Sequence, residues 1–520
     1  MSSRYERYPG GTKRGHHESY EQDYKVLHDF GHGGDDDRLG SYLEVSRKIQ
    51  TLIDAAADGG ERLRAIGSLW SLSEVAVTNG ELLGSKRLRA NFPISAESVD
   101  LNYSGDPAGL RFFEAGNSIK AINEFLQPRG RSIPASGSNN GQTIAGAIST
   151  GTHGAGVAGG AVHDAVVGLH LVAGSGRSVY LERATRPVAP SIAPKLGAEL
   201  IADDELFNAA LVSLGSFGVI RGVLLETRPL FALQVERRRV PFDDLLRETI
   251  ASGGSSGLDL GDEALGPLFH LELIFNPNEV EEGAPEFAYL VVMHEREVPD
   301  DYEAPPWKPS DRDMHGGALA FMGSLIRRMG DLGRAFVNRA AEKRFKRLSK
   351  LATIGDLFVG EPIEGPTLST GMGIPLDKAL EGLAIAFAET SGASGVLPVL
   401  ISLRFVKASP ALLAMNGFGP VTCVLEIDSV QTKHTLALLD RVWSRLAEAG
   451  IPFTPHWGKF NGYLSAATVR ACYPAFDRWL EARRRILGEE RIGDVFRSPF
   501  TDRLGVRWDP VGPPLPPIEA

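Results

Sequence analysis

The chain has 520 residues, 43% of them hydrophobic and 23% charged, the composition of an ordinary globular protein that is long for a single core. Its net charge of −10 excludes the basic face that a nucleic-acid partner requires. Two cysteines, Cys423 and Cys472, exclude a disulfide framework and read as buried small hydrophobes. Residues 1–40 carry no secretory apolar run and no segment has the length to span a bilayer, so a soluble cytoplasmic protein without membrane contact is expected.

In chain order, residues 1–41 are polar and glycine-rich and read as a flexible tail. Its histidines (16, 17, 28, 32) and Asp35–Asp37 have no fixed ligand spacing, so no metal site is expected. From Tyr42, Leu43, Ile49, Leu52, Ile53 and Ala56 recur at helical spacing until Asp58-Gly59-Gly60 stops the helix. Leu63–Ile66 reads as a short strand leading into Gly67-Ser68-Leu69-Trp70-Ser71. Leu110–Ala115 reads as a strand and Ser118–Leu126 as a helix.

The stretch Ser136–Gly156 is almost entirely Gly, Ala, Ser, Thr and Asn. Glycine lets backbone approach a ligand closely, and small hydroxyl residues add donors, so such a stretch suits a flat, polyanionic cofactor. It lacks the closing Gly-Lys-Ser/Thr of a P-loop and does not match the dinucleotide fingerprint. A hairpin follows, Val166–Val172 and Ser178–Glu182, then a helix near Asp204–Leu214 and a strand Gly218–Glu226.

Gly141-Gln-Thr-Ile-Ala-Gly-Ala-Ile-Ser-Thr-Gly-Thr-His-Gly154 resembles the flavin-binding loop of the vanillyl-alcohol oxidase / p-cresol methylhydroxylase superfamily, nearest its sugar-alcohol and aldonolactone oxidase branch. The resemblance runs from about Tyr42 to about Leu504. It implies an α+β fold with a p-cresol methylhydroxylase-type FAD-binding domain over 42–230. A cap with an antiparallel sheet covered by helices follows over 231–454, and a returning C-terminal segment with a Pro-rich tail over 455–520. It also implies FAD contacts from Ile66, Gly67, Ser68, Leu69, Trp70 and Ser71. Further contacts are implied from Ser136, Gly137, Ser138, Thr143, Gly146 and Ala147, from Ser149, Thr150, Gly151, His153 and Gly154, and from Gly218 and Ile220. The family loop commonly reads Gly-x-Gly-His-Ser, with the histidine often tethered to the flavin. Trp70 stands in that place, so the FAD is expected to be non-covalent.

In the cap, strand-like runs such as Leu268–Phe275, Phe287–His294, Leu397–Val406 and Val421–Ile427 alternate with helical Leu376–Ala388 and Thr435–Ala449. Arg327–Lys350 reads as a solvated, basic amphipathic helix pair. Pro455-His456-Trp457-Gly458-Lys459 matches a family segment whose histidine lies on the flavin and whose lysine reaches the substrate, which assigns His456 and Lys459 to those roles. Arg404 matches the arginine of a family Glu-x-Arg strand, but Ser402 replaces the glutamate. Alternation keeps Ser402 and Arg404 on one face. Serine is no base near neutral pH, so proton removal falls to Glu426, Asp428, a lysine or water. Glu426 and Asp428 share a face of the next strand, which faces either the pocket or solvent.

The expected activity is FAD-dependent oxidation of a CH–OH group on a small molecule, with oxygen or another acceptor taking the electrons. The lost glutamate leaves open a non-sugar substrate, such as a sterol, an aromatic alcohol, an amine or a secondary metabolite. A flavin-binding protein with little catalysis is the further alternative.

Overall fold

A computed structural model describes residues 4–32, 38–260, 266–281, 284–305, 331–358, 367–391 and 399–508. Strands β1 (Arg4–Arg14) and β2 (Glu21–Gly31) form an antiparallel hairpin. Helix α1 (Arg38–Asp58) follows, then β3 (Leu63–Ile66) and β4 (Glu81–Arg87), and the four strands make one sheet in the order β1-β2-β4-β3. Residues 4–31 are therefore a folded hairpin, not a flexible tail. The burial signal sits on β2 alone, where Val26, Leu27 and Phe30 pack inward, while β1 is polar and exposed and shows no alternation. Two of the tail histidines serve as hydrogen-bonding groups: His28 lies between Tyr5 and Glu81, and His32 between Ser41 and Glu114. Among the described residues no three potential ligands gather into a metal site, and Asp35–Asp37 lie outside them.

The second sheet is built from β5 (Asn91–Pro93), β6 (Leu110–Glu114), β8 (Val166–Gly174), β9 (Arg177–Glu182), β10 (Glu199–Ala202) and β11 (Val219–Glu226). Its order is β10-β9-β8-β11-β6-β5; between β6 and β8, β7 (Arg131–Ser132) pairs elsewhere, with β12 (Arg228–Pro229). Helix α1 lays Val45, Ile49, Ile53 and Ala56 into the core at three- and four-residue spacing. Each such side chain stabilises the fold by roughly 1.5–3 kcal/mol, alanine less. Helix α2 (Ile119–Leu126) starts at Ser118, whose hydroxyl accepts the Ala121 N–H. Gly218, just before β11, has φ +106°, and a Cβ there would stand 2.5 Å from the Val172 carbonyl, so only glycine fits. Between β6 and β11, Arg221 and Glu114 pair at 2.9 Å with no exposure, and His32 bonds the other Glu114 oxygen.

The cap is one eight-stranded antiparallel sheet. Its strands are β13 (Ala232–Pro241), β14 (Leu268–Phe275), β17 (Phe287–Arg296), β18 (Leu348–Thr353), β19 (Thr367–Ile374), β20 (Leu400–Lys407), β21 (Val421–Val430) and β22 (Thr454–Pro455), a two-strand ribbon β15 (Val280–Glu281) and β16 (Ala284–Pro285) intervening. The order is β18-β13-β17-β14-β20-β21-β19-β22. Helices Ala379–Ser391 and Lys433–Glu448 bury one face each. The architecture is the expected α+β one. The basic stretch differs: Asp331–Arg344 is a helix, but Leu348–Thr353 is the edge strand β18 rather than a second helix, and residues before 331 lie outside the described part. The Pro-rich end at Pro513–Pro517 also lies outside it.

After β22 the chain runs back to the first sheet. Ser73 donates to the Trp457 carbonyl at 2.6 Å and the Leu72 N–H to that of Gly458 at 2.8 Å. Helix Phe476–Leu487 then packs on α4 (Asp204–Leu211), with the Trp479 indole N–H on the Val212 carbonyl. Among the described residues no helix is long and apolar enough to cross a membrane.

Candidate functional site

Two adjoining clefts, of about 820 and 1180 Å³ with their mouths included, meet along Trp70, Ser71, Gln142 and Thr150. Because they are continuous along these four residues, the pair can accept one elongated group that reaches from one into the other.

The smaller cleft follows the loop after β3. It is lined by Ile66, Gly67, Ser68, Leu69, Trp70 and Ser71, by Thr143, Gly146, Ser149 and Thr150, and by Gly218 and Ile220. These all come from the expected cofactor set. Thr143 caps the short helix α3 (Ile144–Ser149), its hydroxyl facing the Gly146 N–H at 3.4 Å. A Cβ on Gly67 would overlap that hydroxyl, and a Cβ on Gly141 would overlap the Trp70 indole. Glycine at both positions lets each loop's backbone close on a side chain of the other. The lining is small, hydroxyl-bearing and uncharged apart from Arg64. Arg64 is buried and donates to the carbonyls of Val75, Leu214 and Gly215, and burial pulls it down to about 10. Backbone donors, hydroxyls and one buried cation are a donor set that fits the diphosphate and ribose parts of FAD.

Of the remaining candidates, Ser138, His153 and His456 line the larger cleft. Ser136, Gly137, Ala147, Gly151 and Gly154 line neither. Ser136 donates to Asn140 at 2.8 Å, Ala147 is core, and Gly151 has φ +68° just beyond α3. A Cβ on Gly137 would stand 2.8 Å from Thr152, and one on Gly154 would strike the Ser136 carbonyl.

The larger cleft gathers His153, Arg404, Asp428, His456 and Lys459. Strand register explains how. Arg404 on β20 stands opposite Glu272 on β14, and Ser402 stands opposite Glu426 on β21. Side chains directly opposite share a face, so two carboxylates flank the arginine from the strands on either side. Arg404 Nε lies 2.9 Å from Glu272, and a terminal nitrogen lies 3.3 Å from Glu426. Lys459 Nζ reaches the other Glu426 oxygen at 2.6 Å. Glu426 is fully buried and does not line the cleft; Asp428, half-buried two residues on, does. Ser402 is buried as well, its hydroxyl without a hydrogen-bond partner among the described residues.

Charge states follow from these neighbours. Burial alone would raise Glu426, but Arg404 and Lys459 outweigh it and hold the carboxyl below its ordinary value. Burial alone would lower Arg404, and Glu272 and Glu426 overturn that. His153 is pushed down to about 4 by burial, partly opposed by Glu426 at 3.8 Å. Its Nδ1–H donates to the Gly154 carbonyl at 2.8 Å, which leaves the proton off Nε2. Burial also drives His456 well below its ordinary value, with the neighbouring His153 adding to it. The Gly458 N–H donates to His456 Nδ1 at 2.9 Å, so the neutral ring carries its proton on Nε2. The two rings lie 5.1 Å apart.

Sequence reading missed Glu272, Gln142, Arg64 and His17. Glu272 carried a signal, as a lone carboxylate in the apolar run Leu268–Phe275. Gln142 lay in the glycine-rich loop, and Arg64 in β3, before the Gly67–Ser71 loop. His17 lines the larger cleft from the tip of the β1–β2 hairpin and carried no signal.

Comparisons with known proteins agree with this geometry. A model of the FAD binding domain matches residues 43–182. The chain is similar to an L-gulono-1,4-lactone dehydrogenase of Mycobacterium tuberculosis, 26% identical over 466 residues that cover 88% of this chain and 93% of that protein. It is also similar to a D-arabinono-1,4-lactone oxidase of Yarrowia lipolytica, 28% identical over 204 residues, 39% of this chain and 34% of that one. Among solved structures, cholesterol oxidase from B. sterolicum shares the fold with a TM-score of 0.67 at 14% identity, covering 96% of this chain and 97% of that one.

The buried neutral histidine predicts a pH dependence. Below about pH 6.5 the unfolded chain protonates His153 while the folded protein does not until about 4. That histidine's contribution is thus complete above pH 6.5 and lost as pH falls through 4, by on the order of 3 kcal/mol. Unfolding midpoints measured from pH 7 to 4 should fall less steeply in His153→Asn than in the wild type; parallel curves would refute the assignment.

Proposed function

We infer the substrate chemistry from the premise that this chain belongs to the p-cresol methylhydroxylase-type FAD-binding superfamily, as an FAD-dependent oxidoreductase acting on CH–OH donors. The proposed substrate is a small polyhydroxylated lactone or sugar alcohol, held in the larger cleft. The observation that carries this reading is the convergence of Arg404, Asp428, Lys459 and two neutral histidines on a cleft that adjoins the glycine-lined one.

FAD, when bound, supplies the two-electron acceptor for the hydride that leaves the carbinol carbon. The chain's own groups then have separate tasks. Asp428 takes the hydroxyl proton, because it is the carboxylate that lines the cleft. Lys459 and Arg404 donate hydrogen bonds to the substrate oxygen that gains negative charge. Glu426 and Glu272 sit behind them as counter-charges and fix both cations in position, so the cluster carries no large net positive charge. His456 offers an Nε2–H and His153 a bare Nε2. The neighbouring Ser138, Gln142 and Thr150 supply polar contacts suited to a polyol. The cofactor is held without a covalent tether, as Trp70 occupies the edge shared by both clefts.

A second reading, a non-sugar alcohol, is favoured by the apolar part of the same wall: Trp70, Leu72, Leu368, Leu400 and Val430. Anaerobic bleaching of the bound flavin by L-gulono-1,4-lactone, D-arabinono-1,4-lactone, polyols, a sterol and an aromatic alcohol separates the two. Bleaching by the sterol or aromatic alcohol alone would reject the lactone reading.

Three outcomes follow for the bound enzyme. Acid precipitation should release all the yellow colour into the supernatant, and flavin retained in the pellet would show a tether. Asp428→Asn should slow flavin reduction by about 10²–10⁴-fold at unchanged FAD content; a wild-type rate would exclude Asp428 as the base. Lys459→Met leaves Glu426 half-partnered, which should cost about 3–5 kcal/mol of stability. Adding Glu426→Gln should recover much of the unfolding midpoint without recovering the rate, and recovery of both would mean that Lys459 serves the fold alone.

A further inference from the structure

We propose that the tip of the β1–β2 hairpin is a clamp on the FAD-binding loop, with His16 as the positioning residue. The inference rests on FAD binding but not on the identity of the substrate.

The loop from Gly67 to Ser73 has no regular secondary structure of its own, yet Leu69, Trp70 and Ser71 line the clefts. Leu69 has φ +56°, a left-handed conformation that disfavours any residue with a Cβ. Something outside the loop must therefore hold it. Two hydrogen bonds from Leu72 and Ser73 to the 457–458 segment hold its far end. Its near end is held by the hairpin tip, where the His16 N–H donates to the Leu69 carbonyl at 2.8 Å. The His16 ring lies parallel to the Trp70 indole, 5° between planes and 4.4 Å between centroids. His17 approaches the same indole edge-on at 5.8 Å, and Gly141 packs against it with no room for a Cβ. Trp70 is thus gripped between the hairpin tip and the glycine-rich loop.

The grip is firm because the hairpin is itself anchored. Strand β2 pairs in parallel with β4, and the Gln22 side chain both donates to the Ala76 carbonyl and accepts the Thr78 N–H. The tip turn closes through Gly15 and Tyr20. The hairpin precedes the stretch matched by the FAD binding domain model, residues 43–182, and is joined to it through the pairing of β2 with β4. Its physical effect is to order the loop before the cofactor arrives, which lowers the entropic cost of binding.

The test measures FAD affinity by titrating apoprotein with FAD and following flavin fluorescence, and takes the apoprotein's unfolding midpoint alongside. His16→Ala should raise the Kd for FAD roughly five- to tenfold with the apoprotein midpoint unchanged. His16→Phe keeps a flat ring and the backbone N–H, and should stay within about threefold of wild type. In a Trp70→Leu background, His16→Ala should add little to the Kd. Wild-type affinity in His16→Ala overturns the clamp. So does a fall in the apoprotein midpoint that tracks the loss of affinity in both variants, since His16 would then be a fold contact only. Flavin that resists acid release from wild type would overturn it as well.

Discussion

The carboxylate of Glu426 is the charge on which the site depends. It is fully buried, and burial of an uncompensated carboxylate would cost several kcal/mol. Arg404 on the adjacent strand and Lys459 on the returning segment meet that cost together, at 3.3 and 2.6 Å. Because the two cations come from different parts of the chain, one buried oxygen pair locks the C-terminal segment against the cap sheet. Arg404 in turn needs Glu272 on its other side, so three strands and one loop share a single electrostatic solution.

In the proposed mechanism that arrangement leaves the half-buried Asp428 to take the substrate proton. A carboxylate already shared by two cations is a weak base, since its proton affinity has been lowered by both. The acid two residues along the same strand face lines the cleft instead. Nearby, two neutral histidines whose tautomers are set by backbone groups present one donor and one acceptor without adding charge. The carboxylates Glu272 and Glu426 thus lie behind the wall, while Asp428 and the two histidines line it.

Local pattern made much of this legible. The glycine-rich stretch, the Pro-His-Trp-Gly-Lys run and the helical spacing of α1 all announced themselves, because close backbone approach and period 3.6 leave direct marks on residue choice. Ser402 in the expected acid's place pointed to the next strand, but only register shows that Glu426 stands directly opposite it. Cross-strand partners 24 residues apart carry no signature in a single sequence. Glu272 stood out as a lone carboxylate in an apolar run, but its place opposite Arg404 is likewise set only by register. The N-terminal hairpin escaped because its outer strand is polar and exposed, so alternation was missing where a strand would need it. The basic stretch misled differently: Leu348–Thr353 is a short edge strand, where Lys and Arg suit solvent exposure as well as they suit a helix.

The hydrogen bond from Ser73 to Trp457 joins residues 384 positions apart. On a ribosome adding roughly 5–20 residues each second, the first loop therefore waits about 20–80 s for its partner. For the part of that interval after Ile220 is made, the glycine-rich cradle is complete in sequence, yet one bank of the larger cleft does not exist. The early half must keep its half-made cleft from sticking to other chains. The hairpin tip, which precedes Trp70 in the chain, is available to cover its indole throughout that wait.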